Sequence, residues 1–344
     1  MCPPIDARMP TGATITYGLY WTVMECPRCG AGMQVRTNRS NGDQFWGCSE
    51  FPDCRGTQPL AGSSSTGRNR PTDPDANPKV ETCTNRLPKA LSPSRALDFL
   101  QCPRKFYEKV ITKRVVFQAT EASLRGTLTH HALEHIFDHP ASKRTPDNAV
   151  PYVRSHWEEI RGRSEQAKVA NFSGTRIETM LDEAEGLVRE WFSMENPSAM
   201  EPESRELTVM ATLDDAPMRG TIDRLDCTGT TASGTPRYRI VDYKTGKLPQ
   251  DRFLDQTLFP IHIYAAAIEA SRLASVDEVQ LLYIGKGNVT RSIDRATNQA
   301  TATRFAGIWG DITTAAETGR FPCQTGPLCD WCDAKPFCPA WGGA

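Results

Sequence analysis

Residues 240–244 read Ile-Val-Asp-Tyr-Lys, and residues 220–224 read Gly-Thr-Ile-Asp-Arg. Both are short, β-branched stretches with the composition of strands. Alternation along a strand puts residues i and i+2 on one face, so Asp242 and Lys244 point the same way. Asp223 lies 19 residues before Asp242 at the end of a second strand, a gap that a hairpin would close into adjacency. Two converging carboxylates are the least that will hold a hard divalent cation such as Mg or Mn through oxygen, and phosphodiester hydrolysis needs such a cation. Lys244 is then placed to orient the attacking water or to balance charge on the pentacoordinate phosphate. Alone, Asp-x-Lys is also the pattern of an exposed strand ion pair, so the surrounding sequence has to decide.

Working outward, Ser92 followed by Pro93 reads as an N-cap and first helical residue, with Ala96, Leu97, Phe99 and Leu100 as the apolar face of a helix that ends near Cys102 and Pro103. A second helix is predicted from about Ala122 to Asp138, with Leu124, Leu128, Ala132 and Ile136 at helical spacing, and a third from about Arg176 to Phe192. Strands follow over Glu206–Leu213, Met218–Cys227 and Tyr238–Tyr243, then a helix near Pro260–Leu273. A hairpin of Val279–Ile284 and Val289–Ile293 and a last helix over Ala302–Thr318, stopped by Gly319 and Pro322, complete the chain. Helices followed by strands that one helix interrupts predict an α/β core with a mixed sheet. His131, His135 and His139 form an i, i+4, i+8 row on the second helix. No Glu follows His131, as a metalloprotease would require, so the row is read as a solvated or packed face.

Gly126-Thr127-Leu128-Thr129-His130 near the start of the second helix, then Gly220-x-x-Asp223, then Asp242-x-Lys244, resemble in order and residue type the RecB-type PD-(D/E)XK nucleases, over roughly residues 92–340. The resemblance implies a restriction-endonuclease-like mixed-sheet core flanked by helices. It implies that His130, Asp223 and Asp242 are metal ligands and Lys244 the catalytic lysine. The family's following helix carries Gln-x-x-x-Tyr, which contacts DNA near the active site. Tyr264 matches the tyrosine, but Pro260 occupies the glutamine's place. Gln256, one turn earlier, is assigned that role and would share the face only if the helix already runs through it, whereas proline favours a helix's first turn.

The chain has 12 cysteines, several in C-x-x-C pairs that suit thiolate metal sites better than a disulfide framework. Cys26, Cys29, Cys48 and Cys54 form two close pairs, a tetrahedral zinc set in a module too short to fold on its apolar residues alone. With no position left for water, this zinc is structural. Arg28, Arg36, Arg39 and Arg55 with Phe45, Trp46 and Phe51 supply the cations and flat rings that hold phosphates and stack unpaired bases, although the rings equally suit a small core. Cys26-Pro-Arg-Cys29-Gly30 and Gly47-Cys48-Ser49-Glu50-Phe51-Pro52-Asp53-Cys54-Arg55 resemble the topoisomerase I C-terminal zinc ribbon, which implies single-stranded DNA binding.

Near the C-terminus Cys329, Cys332 and Cys338 give C-x2-C-x5-C, three ligands that need a fourth, and Cys102 can supply it across a long loop whose closure entropy grows only slowly with length. Spacing alone leaves zinc and iron–sulfur open. Ser92-Pro93-Ser94, Cys102-Pro103-Arg104-Lys105-Phe106-Tyr107 and the late triplet resemble the iron–sulfur subgroup of RecB-type nucleases, which includes the CRISPR-associated exonucleases. That implies a 4Fe-4S cluster. Cys323, with Cys2, Cys83 and Cys227, is left outside the ligand sets.

The 344 residues allow about two domains. A net charge of −1 excludes nucleic-acid binding through bulk charge, so any polyanion contact is local. The stretch from Ile15 to Met24 lacks the flanks of a signal peptide, and no apolar run would span a membrane, so the expected location is cytoplasmic. The expected division is a ribbon over residues 24–60, a Pro/Gly/Ser-rich linker over 61–91 and a nuclease domain over 92–344. The expected activity is a Mg- or Mn-dependent DNA exonuclease on single strands or ends, with DNA and a helicase or recombination protein as partners. The competing readings are a non-cleaving DNA-binding protein of repair or CRISPR-adaptation complexes, and an iron–sulfur redox regulator that binds DNA.

Overall fold

The computed structural model describes residues 80–116, 119–161, 174–272 and 274–343, together with residues 26, 29, 31, 33–37, 44–50, 54 and 56–59 of the N-terminal module. The Ile15–Met24 stretch, Arg28, Arg39, Arg55, Phe51 and linker residues 61–79 lie outside the described residues, as does the Phe45 side chain. The module and the remainder are separate units.

In the module, β1 (Met33–Thr37), β2 (Gln44–Cys48) and β3 (Thr57–Pro59) form an antiparallel sheet in that order. Its only buried cluster is Cys26, Met33 and Cys48, with Ala31, Trp46 and Cys54 against it among the described residues. So little apolar surface cannot offset the entropy of ordering the chain, which is why the four thiols have to contribute.

In the large unit, α1 (Pro93–Gln101) begins as predicted, with the Ser92 hydroxyl accepting from Arg95 N, and α2 (Pro103–Phe106) restarts at the proline. The second predicted helix is α3 (Glu121–His135), whose Thr120 and Ser123 form a capping box. Two helices that periodicity had not revealed follow, α4 (Pro146–Ala149) and α5 (Pro151–Ile160), and then α6 (Gly174–Met194). Strands β4 (Ser204–Leu213), β5 (Ala216–Thr230) and β6 (Pro236–Lys244) form an antiparallel meander. Helix α7 (Leu254–Arg272) then crosses over, so that β7 (Ser275–Tyr283) runs parallel to β6, and β8 (Gly287–Ser292) returns antiparallel. Sheet order is β4-β5-β6-β7-β8, the mixed α/β sheet expected. Helix α8 (Arg295–Thr318) ends at Gly319, whose φ of 66° is left-handed.

Helices cover both faces of the sheet. Ile222, Leu225, Ile240, Val279 and Leu281 pack with α1, α7 and α8 on one side. Val241, Tyr243 and Leu282 pack with α3, α5 and α6 on the other. Strict alternation along β6 therefore fixes which cover each residue meets: Ile240, Asp242 and Lys244 face the α7 side. Helix α7 starts at Leu254, so Pro260 is inside it rather than in its first turn, and Gln256 is helical. Pro260 has no N–H for the Gln256 carbonyl, a loss that the otherwise apolar, buried helix tolerates.

The expected linker over 61–91 is wrong at its end. Val80 N and Cys83 N donate to the Gly319 and Ala316 carbonyls, and Leu91 bridges Met218 with its side chain fully buried. Polar composition hid this because only a few residues of the segment, Val80, Cys83, Leu87 and Leu91, pack on the core, and the rest of its attachment is through backbone.

On the α6 face, Arg224 is almost wholly buried. Its guanidinium meets Glu195 at 2.6 and 2.8 Å, Asp226 at 3.0 Å and the Tyr243 hydroxyl at 2.7 Å, and Trp191 Nε1 also donates to Glu195. Removing one partner strands a buried charge, so Arg224→Ala and Glu195→Ala should each lower the unfolding free energy in urea by about 3–5 kcal/mol. Arg154→Ala, which breaks the exposed network to Glu178, Asp182 and Glu185, should cost less than about 1 kcal/mol.

Candidate active site

Strands β5 and β6 pair from Thr230 and Pro236 as far as Arg224 and Val241, and the ladder stops there. The Tyr243 peptide groups are satisfied by side chains instead. The Tyr243 N–H donates to Asp223 Oδ2 at 2.8 Å, and the Tyr243 carbonyl lies 3.0 Å from His130 Nε2 on α3. Donation from Nε2 leaves Nδ1 with its lone pair, 3.4 Å from Asp223 Oδ2. Two lone-pair donors facing each other at that distance can share a cation.

Glu206 joins them. One ligand atom each from His130, Glu206 and Asp223 lie within 4.8 Å of one another. Glu206 sits where the β4–β5 ladder skips a pair between Arg205–Arg224 and Leu207–Ile222, with a left-handed φ of 42°. Such a conformation costs a bulky residue about 1–3 kcal/mol and persists only where its surroundings impose it. Loss of solvent, then the Asp223, Glu134 and Asp242 charges, push the Glu206 carboxyl up to about 7. Burial and then Asp242 push Asp223 up to about 6, against the pull of His130, the Tyr243 amide and Lys244. This crowding of carboxylates around one imidazole is an oxygen-rich donor set suited to a hard divalent ion such as Mg or Mn. Sequence reading missed Glu206: no motif marks it, and only its strained backbone opposite Asp223 reveals it.

Asp242 is next to this triplet rather than in it. Its charge is felt by both Asp223 and Glu206, and its Oδ2 forms an ion pair with Lys244 Nζ. Burial works against the Lys244 ammonium, yet Asp242 and Asp223 outweigh it and hold it above its usual range. The charged form of the amine is thus favoured beside Asp242.

Tyr264 reaches the same end of the sheet from α7. A Cβ on Gly220 would come within 2.5 Å of its ring, so the glycine of Gly220-x-x-Asp223 is the space the tyrosine occupies. Burial and then Asp242 push its hydroxyl up to about 12, while a hydrogen bond with the Thr221 backbone pulls the other way. Gln256, two turns earlier, is exposed and makes no hydrogen bond to the site among the described residues. A cavity of about 730 Å³ opens over His130, Glu206, Tyr243 and Lys244 and extends along α3 to His131 and Glu134.

In the module, Cys26 Sγ and Cys54 Sγ are 3.7 Å apart and Cys29 Sγ and Cys48 Sγ 3.4 Å, all four within 4.8 Å of one another. A tetrahedron with Zn–S bonds of about 2.3 Å has edges of about 3.8 Å, so the set fits zinc. Burial pushes the Cys48 thiol up to about 12, a cost that a bound cation would reverse. Arg36 donates to the Cys48 carbonyl at 3.1 Å.

Of the late cysteines, Cys323 and Cys332 come near Cys102. Gln324 N donates to Cys102 Sγ at 3.4 Å, and the Cys102 charge is felt by Cys323 and Cys332. Cys323, left outside the set on spacing, is 3.5 Å from Cys338 Sγ. Tertiary contacts bring it there: Arg104 N donates to the Pro322 carbonyl, and Phe321 packs on Tyr107. Cys323 hydrogen-bonds Cys338 and holds its thiol down at about 6. Among the described residues, no three of these thiols are as close together as the four of the ribbon.

Two family models match the chain. A model described as the PD-(D/E)XK nuclease superfamily matches residues 90–339, and one described as the topoisomerase DNA binding C4 zinc finger matches residues 23–62. Comparison with curated proteins returns no match. Among solved structures, a crystal structure of a protein named "Putative exonuclease" from Eubacterium rectale aligns at 12% identity over 71% of this chain and 87% of that one, with a TM-score of 0.45. No helix among the described residues is long and apolar enough to cross a membrane. The nuclease match runs from just before α1 to past the last cysteine, so the chain belongs to the PD-(D/E)XK nuclease superfamily.

Proposed function

We propose that this protein is a metal-dependent deoxyribonuclease that digests DNA from ends or along single strands, in recombination, repair or phage DNA metabolism. The observation that carries the reading is the facing pair of His130 Nδ1 and Asp223 Oδ2, both locked to the Tyr243 peptide groups where the sheet opens. A bound Mg²⁺ or Mn²⁺, held by His130, Glu206 and Asp223 with Asp242 beside them, would supply a water acidic enough to attack the phosphate and charge to neutralise it. The chain's own residues do the rest. Lys244, kept charged by Asp242, offers N–H donors to a nonbridging phosphate oxygen or to the water. Tyr264, wedged over Gly220, positions the strand beside the reacting phosphate. Gln256, exposed on the first turn of α7, meets DNA further along.

In this reading residues 24–60 form a zinc ribbon that captures single strands, with Arg36 and Trp46 among its contacts, and residues 92–344 with the 80–91 segment form the nuclease domain. Cys102, Cys329, Cys332 and Cys338 hold a 4Fe-4S cluster that staples the two ends of the domain, with Cys323 beside Cys338. Their wider spread suits a polynuclear cluster better than one ion. A helicase or recombination protein that unwinds or passes on DNA is the natural partner, and the cytoplasm the natural compartment.

Lys244→Ala should lower the turnover of end-labelled DNA by about 10²–10³-fold, the loss expected for one preorganised donor. Asp223→Asn and Asp242→Asn should abolish it, and chelation followed by Mg or Mn addition should remove and restore it. Turnover by Asp242→Asn or Lys244→Ala at the parent's rate refutes the reading. Glu206→Gln should raise the metal concentration needed for half-maximal rate while leaving the rate at saturating metal within about tenfold; an unchanged metal requirement removes Glu206 from the ligand set. Anaerobically purified protein should contain iron and sulfide that Cys102→Ala loses, together with zinc that Cys26→Ser loses.

A further inference from the structure

Helix α3 carries a second constellation one residue around from His130. His131, Glu134 and His135 stand at i, i+3 and i+4, hence on one face, and one ligand atom from each lies within 4.8 Å of the others. Helix α5 brings His156 against them, its ring stacked on His131 with centroids 3.7 Å apart and planes 10° apart, while His131 and His135 rings are 4.2 Å apart. His131 thus lies between His135 and His156.

The outer hydrogen bonds give the rings their direction. His135 Nδ1 is 2.7 Å from Asp138 Oδ2, and His156 Nδ1 is 3.3 Å from Glu159 Oε2. With Nδ1–H held by a carboxylate, each ring keeps Nε2 as a lone-pair donor, which is the outer-shell pattern that orients metal-bound histidines. His135 Nε2 in turn faces Glu134 Oε2 at 3.8 Å. His131 makes no hydrogen bond among the described residues and lines the cavity shared with Lys244 and Glu206. His139 is turned away, its Nε2 3.3 Å from the Tyr152 hydroxyl. A packed histidine face with no other purpose would use its ring nitrogens on one another or on backbone. Here His135 and His156 are each backed by an acid, and the ligand atoms of His131, Glu134 and His135 converge.

We propose that His131, Glu134 and His135 bind a divalent ion of the zinc class, with His156 stacked beside them. Two imidazoles and one carboxylate suit Zn²⁺ better than Mg²⁺. The ion sits at the His131 and Glu134 side of the cavity, distinct from the His130–Glu206–Asp223 triplet and from both cysteine sets. Glu134 is the link between the two centres, since its charge already acts on Glu206.

The test is zinc content and the absorption spectrum after cobalt replacement, both on the full chain. Parent protein equilibrated with zinc should hold one equivalent more than His131→Ala/His135→Ala by mass spectrometry of the metal. Cobalt in that extra position should give visible bands without the thiolate charge transfer of the cysteine sites. Asp223→Asn should keep the equivalent. Asp138→Asn, which removes no ligand, should weaken zinc by about 10- to 100-fold with unchanged circular dichroism, separating loss of the ion from loss of the fold. Equal zinc and identical cobalt spectra in the parent and the double variant overturn the proposal, as does loss of the equivalent in Asp223→Asn alone.

Discussion

The site depends on one peptide position. Where β5 and β6 part beyond Arg224 and Val241, the N–H and carbonyl of Tyr243 lose their strand partners. A buried backbone group without a partner costs roughly what a lost hydrogen bond costs, so something has to replace β5. The replacements are Asp223 and His130. The bonds that repair the sheet also fix the carboxylate and the imidazole that face each other. The side chains that complete the sheet are thus the same ones that face each other.

Around that point the protein accumulates negative charge that it does not neutralise itself. Glu206, Asp223 and Asp242 converge, and Lys244 pairs directly with Asp242 while acting on Asp223 through its charge alone. Glu206 adds backbone strain to electrostatic cost. The opposite face shows the alternative. There Arg224 is buried among Glu195, Asp226 and Tyr243 with every charge answered. The two faces of one strand pair therefore differ in kind: one is a closed polar network that holds the sheet to α6, the other is left open for a ligand.

Donor chemistry sorts the remaining clusters. The four ribbon thiols, close enough for a single ion, are soft donors in a module whose described residues form only a small core. The later cysteines are spread wider and bring together chain segments more than two hundred residues apart. The imidazoles of α3 and α5 are intermediate donors with acids behind them. Each set is placed by elements that packing had already fixed, and each has ligands suited to a different class of ion.

What the sequence determined by itself was local or periodic. Ser92 and Pro93 start a helix because a hydroxyl and a fixed φ satisfy its first turn; Asp242 and Lys244 share a face because strands alternate; Gly220 and Tyr264 were visible as motif members, though not that one makes room for the other. Four cysteines in two close pairs were enough to indicate zinc. Only the tertiary structure decided the rest. Glu206 joins the site because a skipped ladder pair turns its backbone. Cys323 meets Cys338 because Phe321 and Pro322 dock on α2 and the turn after it, and the 80–91 segment pairs through backbone with α8 and β5. Helix α5 and its His156 gave no periodic signal. Side-chain type and short-range spacing are written in the chain, but which distant groups share a metal depends on where strands stop pairing and where buried backbone finds its partners.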